Sequence, residues 1–191
     1  MHISDGIIQT PVCLAAHAVC AAAIYISGRN TEQEDIPKMG MTGAALFTAS
    51  LIHFPFAGTS IHLGLFGLAG IILGRRAFPV IYAALFLQSL IFQHGGLLTL
   101  GVNALNMGAG AWGAWLLWRV KRLPESLRAP SAGFLGILIP ALLMAFEFNF
   151  SGYGKGIFYL LTIYLAVAVI ESGITFSAVR FFRKVKADIL P

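Results

Sequence analysis

The chain begins Met1-His2-Ile3-Ser4-Asp5-Gly6. A free α-amino group, the amide nitrogen of residue 2 and the imidazole of His2 together close two fused chelate rings on one metal ion. One further imidazole in the same plane completes a four-nitrogen square, a geometry suited to Ni(II) or Cu(II). A bulky second residue such as His2 disfavours removal of the initiator methionine. The first ten residues also lack the basic stretch that opens a secretory signal, so Met1 is expected to supply the amine. Met-His alone is a common pair, and its interest depends on what converges on it.

The elements that must position such a site are apolar. Of 191 residues, 58% are hydrophobic and 11% charged, with a mean hydropathy of +0.81. This composition excludes a soluble domain and predicts a single polytopic helical bundle embedded in a lipid bilayer. The net charge of +5 does not indicate nucleic-acid binding, because the basic residues punctuate apolar runs instead of forming a face. Cys13 and Cys20, seven positions apart in one apolar run, read as packing residues.

Seven apolar segments are marked off by charge, Gly and Pro, at roughly 11–28, 39–54, 61–74, 78–93, 98–118, 132–148 and 156–182. A full span takes about 20 residues, so the second, third and fourth are short. The run from His53 to His62 interrupts the pattern between two of them. Irregular backbone at membrane depth persists only where protein or a water-filled cavity covers it. Short helices meeting at such a break predict a funnel entering the bilayer from one side.

Lys and Arg set the orientation. With the N-terminus outside, the inner side holds Arg29, Lys38, Arg75, Arg76, Arg119, Lys121, Arg122, Arg128, Arg180, Arg183, Lys184 and Lys186, while the outer side holds Lys155 alone. The expected topology is therefore seven helices, N-terminus out and C-terminus cytoplasmic. It sorts the histidines: His2, His53, His62 and His94 fall at the outer ends of their segments, and only His17 lies within one. A single histidine in such a place is ordinarily a hydrogen-bonded interface residue, whereas four at one face beside Met1 favour metal capture.

Two stretches go beyond composition. One is Gly58-Thr59-Ser60-Ile61-His62-Leu63, leading into the small-residue run Gly64–Gly74. The other is Phe86-Leu87-Gln88-Ser89-Leu90-Ile91-Phe92-Gln93-His94-Gly95-Gly96, continuing through Leu100-Gly101-Val102-Asn103-Ala104-Leu105-Asn106-Met107. Together with the Met-His-x-x-Asp-Gly start they resemble the CbiM/NikM family, the substrate-binding membrane subunits of energy-coupling-factor nickel and cobalt importers. The similarity covers most of residues 1–113, and Glu171-Ser172-Gly173-Ile174-Thr175 resembles the family's Glu-Gly-x-x-Thr element.

The resemblance implies that residues 1–10 fold back into a single 1–191 transmembrane domain. It also implies that the metal is held by the Met1 amine, the His2 amide and imidazole, and His62. The cargo would be Ni(II), or Co(II) for cobalamin synthesis, with no permanent cofactor, and the nickel branch is the closer match. Copper binds such nitrogen sets more tightly still, so its exclusion rests on availability or on the pocket. The membrane would be the plasma membrane of a prokaryote.

Around these ligands, Gly95 and Gly96 are expected to turn the chain beneath the N-terminal segment and Asn103 and Asn106 to hydrogen-bond that segment; His94 and His53 read either as outer support or transient entry ligands for the metal, or as simple interfacial histidines. Asp5 is expected to brace the turn at Gly6. Glu171 is an ionisable group inside a membrane segment, a functional flag by default, with a structural partner or a role in coupling as its two readings. Glu147, near the outer end of its helix, reads as solvated. The Gly70–Gly74 and Ala18–Ala22 spacings suit close helix packing.

No Gly-x-x-x-x-Gly-Lys-[Ser/Thr] phosphate loop occurs in the sequence, so ATP hydrolysis is expected from other chains. The implied partners are a transmembrane coupling subunit, cytoplasmic ATPase subunits and a small accessory membrane subunit. Two other classes compete. An intramembrane metalloenzyme would want a general base beside an open metal position, as in His-Glu-x-x-His, which is not present. A structural membrane protein would carry its histidines incidentally.

Overall fold

The computed structural model describes residues 2–56, 59–153 and 157–191. Met1, Gly58 and Lys155, which carry expectations above, lie outside the described residues. Seven α-helices are present among those described: α1 Thr10–Gly28, α2 Ile36–Leu51, α3 Phe66–Leu73, α4 Ala77–Phe92, α5 Leu100–Trp118, α6 Glu125–Phe150 and α7 Ile157–Val185. Pro11 and Pro37 sit in the first turns of α1 and α2, where the missing N–H costs nothing.

Among the described residues, four helical stretches are long and apolar enough to cross a membrane: Thr10–Gly28, Phe66–Phe92, Glu125–Phe150 and Leu160–Val185. The second joins α3 to α4 through the 3₁₀ turn Gly74–Arg76, where two separate segments were expected. α5 is as long as α1 but carries Asn103, Asn106 and four glycines, which lower its hydropathy. It can afford them because it is the centre of the bundle, contacting α1, α3, α4 and α6.

Small residues let the central helices approach closely. A Cβ on Gly70 of α3 would lie 2.1 Å from the Ala111 carbonyl oxygen of α5, and one on Gly136 of α6 would lie 2.3 Å from the Gly67 nitrogen of α3. Gly74 packs against the Trp115 ring. The other small-residue pair does not serve this purpose, since Ala18 and Ala22 are both exposed on the outer face of α1.

The fold departs from pure helix between α2 and α3. His53–Phe56 (β1) and Thr59–His62 (β2) form an antiparallel ribbon in which His53 pairs with His62. The run was expected as irregular backbone. Pairing its own amides and carbonyls is how such a segment enters an apolar bundle without orphaned polar groups. The helix that follows is short: eight residues rise about 12 Å, well under a bilayer's thickness.

The two ends of the bundle differ in chemistry. At one end lie His53 after α2, His94 after α4, the start of α5 and the N-terminal segment. At the other, Arg76 pairs with Asp35 at 2.8 Å and donates to the Asn30 carbonyl, Arg128 donates to the Trp118 carbonyl, and Arg183 pairs with Glu125. Those contacts tie the basic loops to one another, and among the described residues no Lys or Arg shares the histidine end.

Candidate metal centre

The N-terminal segment is pinned to the start of α5 by residues on both sides. Ile3 is fully buried; its N–H donates to Asn103 Oδ1 at 2.8 Å, and its carbonyl accepts from Asn103 Nδ2 at 3.0 Å and from the Thr99 hydroxyl at 2.8 Å. The Asp5 carboxylate accepts from the Thr99 N–H at 2.9 Å and from the Leu98 N–H at 3.3 Å, and its Oδ1, 2.9 Å from the Thr99 hydroxyl, shares that group's one proton with the Ile3 carbonyl. It therefore fixes the segment to α5 instead of bracing only its own turn. Gly96 is required by this contact, since a Cβ there would sit 1.9 Å from Asp5 Oδ1. Gly95 adopts φ +84° beneath His2, a conformation that glycine tolerates best.

Asn103 thus meets the N-terminal segment, and Asn106 does not. One turn further along α5, Asn106 faces α6 and donates Nδ2 to Glu147 Oε2 at 2.7 Å. Two expectations are corrected together: Asn106 does not support the segment, and Glu147 is a partly buried hydrogen-bond partner, not a solvated end group. Three residues on a helix separate two side chains by about 60° and by nearly a turn of rise, enough to give them different neighbours.

Three imidazoles gather above this floor. His62 closes β2 and is 6% exposed; His2 is 2% exposed and His94 6%. The His2 ring stacks on His62 at 4.8 Å between centroids and lies tilted at 54° to His94 at 4.1 Å, with His62 and His94 5.5 Å apart. Each offers one ligating nitrogen, all within 4.8 Å of one another. The Nδ1 of His62 lies 2.8 Å from the Leu63 carbonyl, so it donates there and leaves Nε2 with its lone pair free. The Nε2 atoms of His2, His62 and His94 are all buried without a hydrogen-bond partner.

Burial, before any other cause, holds His2 and His62 well below the usual imidazole pKa and brings His94 down to about 4. All three are neutral at physiological pH, the form that binds metal. Nitrogen donors with no carboxylate in the cluster suit Ni(II), Co(II), Cu(II) or Zn(II) and not Mg(II) or Ca(II). His94, expected as outer support or an entry ligand, thus lies close enough to His2 and His62 for one nitrogen of each ring to fall within 4.8 Å of the others. Its position at the end of α4 before Gly95-Gly96 was the available signal. His53 is exposed, its ring centroid 4.0 Å from that of His94.

Glu171 holds the other end of the His62 segment. It is fully buried at the midpoint of α7, fourteen residues from either end. Its carboxylate accepts from the Gly64 N–H at 2.6 Å and the Leu65 N–H at 2.9 Å. Leu65 is the N-cap of α3, at φ +51°. A carboxylate at a helix N-terminus is favourably placed against the helix dipole and satisfies amides that the helix leaves open. Its oxygens are engaged with backbone, so Glu171 positions the metal-facing loop instead of ligating.

Removing the Asn103 side chain tests the floor of the site. Asn103→Ala deletes two buried hydrogen bonds to Ile3, each worth about 0.5–1.5 kcal/mol net. Metal affinity measured by calorimetry is expected to fall about 5- to 150-fold, with the bundle intact by circular dichroism.

The sequence model of CbiM, described as a cobalt uptake substrate-specific transmembrane region, matches residues 2–189. A Haemophilus influenzae protein whose name assigns it to metal transport is 32% identical over 199 residues, across all of this chain and 97% of its own length. The fused nickel transport protein NikMN of Rhodobacter capsulatus is 29% identical over 167 residues, 78% of this chain and 47% of its own length. A crystal structure of a truncated transition metal transporter has the same fold, with a TM-score of 0.85 at 23% identity over 96% of this chain and 99% of that one.

Proposed function

The chain belongs to the CbiM family of cobalt uptake substrate-specific transmembrane regions, and from that premise we propose that it captures Ni(II) or Co(II) for an energy-coupling-factor importer. It is a membrane protein of cobalt and nickel transport, a transporter component and not an enzyme. The observation that carries the proposal is the gathering of three buried imidazoles, His2, His62 and His94, each offering a ligating nitrogen within 4.8 Å of the others.

In this reading His2 and His62 hold the ion, and the Met1 amine and His2 amide complete a nitrogen square. The histidine end faces outward and the basic end faces the cytoplasm, with seven membrane-crossing or membrane-embedded helices between. Glu171 links the His62 loop to the middle of α7, so a shift of that helix would reach the site through two amide hydrogen bonds. The fusion named in the nickel transport relative supports a membrane partner. ATP would be hydrolysed by separate cytoplasmic subunits, in the plasma membrane of a prokaryote.

Purified protein loaded from an equimolar mixture of Ni, Co, Cu and Zn tests this reading by elemental analysis. We expect about one ion per chain, with nickel and cobalt retained after dialysis. Retention of none of the four would refute it.

A further inference from the structure

We propose that His53 and His94 form a transfer site through which a hydrated divalent transition-metal ion passes to His2 and His62. The inference rests on the reading of His2 and His62 as the holding site and adds a route to it. The ribbon supplies the first argument. His53 and His62 are register partners, and directly opposed residues of an antiparallel pair project to the same face. One of these two histidines is exposed and the other buried, so the ribbon face leads from solvent to the site.

His94 supplies the second. Its ring lies 4.0 Å from that of His53 and 4.1 Å from that of His2, and its Nε2 is buried without a partner. His53 Nδ1 lies 3.1 Å from the Leu51 carbonyl; donating there leaves Nε2 as the free nitrogen. Imidazoles therefore run from exposed to buried in steps of one ring, with His94 as the residue common to both ends.

The chemistry explains why such a run is useful. A dication moved bare into an apolar pocket faces a prohibitive desolvation cost, greater than that of a monovalent ion. Exchanging one water at a time for an imidazole nitrogen spreads that cost over several small steps. His53 and His94 take the ion while it keeps most of its waters; His94 and His2 take it next; the holding site then displaces His94. No bond other than metal–ligand bonds changes.

A residue that stabilises only the transfer state lowers the barrier in both directions. Stopped-flow Ni(II) binding and chelator-induced release, with the full chain in detergent, read this directly. In His53→Ala we expect association and dissociation rate constants to fall together by about tenfold, with Kd unchanged within about twofold. His53→Gln, which keeps polarity and bulk without the ring nitrogen, should be equally slow. Unchanged rates in His53→Ala, a weaker Kd arising from faster release alone, or full rescue by His53→Gln would each overturn the transfer site. The wild-type Kd reports on the holding site separately. If wild-type protein binds no Ni(II), both readings fall, whereas a normal Kd with unaltered His53→Ala rates removes only this one.

Discussion

His62→Ala should abolish high-affinity Ni(II) binding while leaving the bundle folded. Substitution of residues that merely orient metal ligands costs about 10- to 100-fold in affinity, so loss of a ligand should exceed ~100-fold. The fold should survive, because the His62 ring makes one local hydrogen bond, to the neighbouring Leu63 carbonyl. The longer-range attachment of this segment is made by Glu171 to Gly64 and Leu65 and does not involve the imidazole. Isothermal titration with Ni(II) and Co(II), beside a thermal melt of the same sample, separates the two effects. Wild-type affinity in this variant would remove His62 from the site.

Acetylating the Met1 amine should have an effect of similar size. The acetyl group removes the amine as a donor to the five-membered ring it closes with the His2 amide, and nickel affinity should again drop by more than ~100-fold. The alternative is binding through side chains alone. A chelate through the His2 amide must use Nδ1 of the same ring, whereas the buried His2 nitrogen without a partner is Nε2. Imidazole-only binding by His2, His62 and His94 would therefore be indifferent to acetylation.

Spectroscopy and pH give two further readings of the same question. A four-nitrogen square makes Ni(II) low-spin and diamagnetic, and binding releases protons from both the amine and the amide. Because the imidazole pKa values are lowered, ring protonation competes with metal only under acid conditions. Near neutrality affinity should then rise with pH at close to two decades per unit, since an α-amine titrates near ~7.7–8.0 and the amide proton is released only to the metal. A paramagnetic complex with a flat dependence above about pH 7 would exclude amine and amide as ligands.

Much of this architecture was legible because hydropathy along a chain reports depth. Apolar run lengths and the placement of Lys and Arg separated a histidine end from a basic end, and put His2, His53, His62 and His94 together at the former. The Asn103 contact to the N-terminal segment was legible for the same reason, as a polar residue one turn into a helix that starts where that segment returns. The Gly70–Gly74 spacing showed that α3 could pack closely, although only the structure showed that Gly70 meets Ala111 of α5.

Azimuth was not legible. Which neighbour a side chain faces depends on how each helix is rotated about its axis, and that is set by packing across the bundle. Asn106 turned to Glu147 and away from the N-terminal segment, although its depth suited either. Glu171 found its partners 107 and 106 residues earlier in the chain, at the start of a helix whose short length alone had suggested a break. His94 stood at the correct end in the sequence, but only the rotation of α4 against the ribbon brought its ring beside those of His2 and His62. Composition and spacing determined the height of each group in the bundle, and helix packing decided which of them meet.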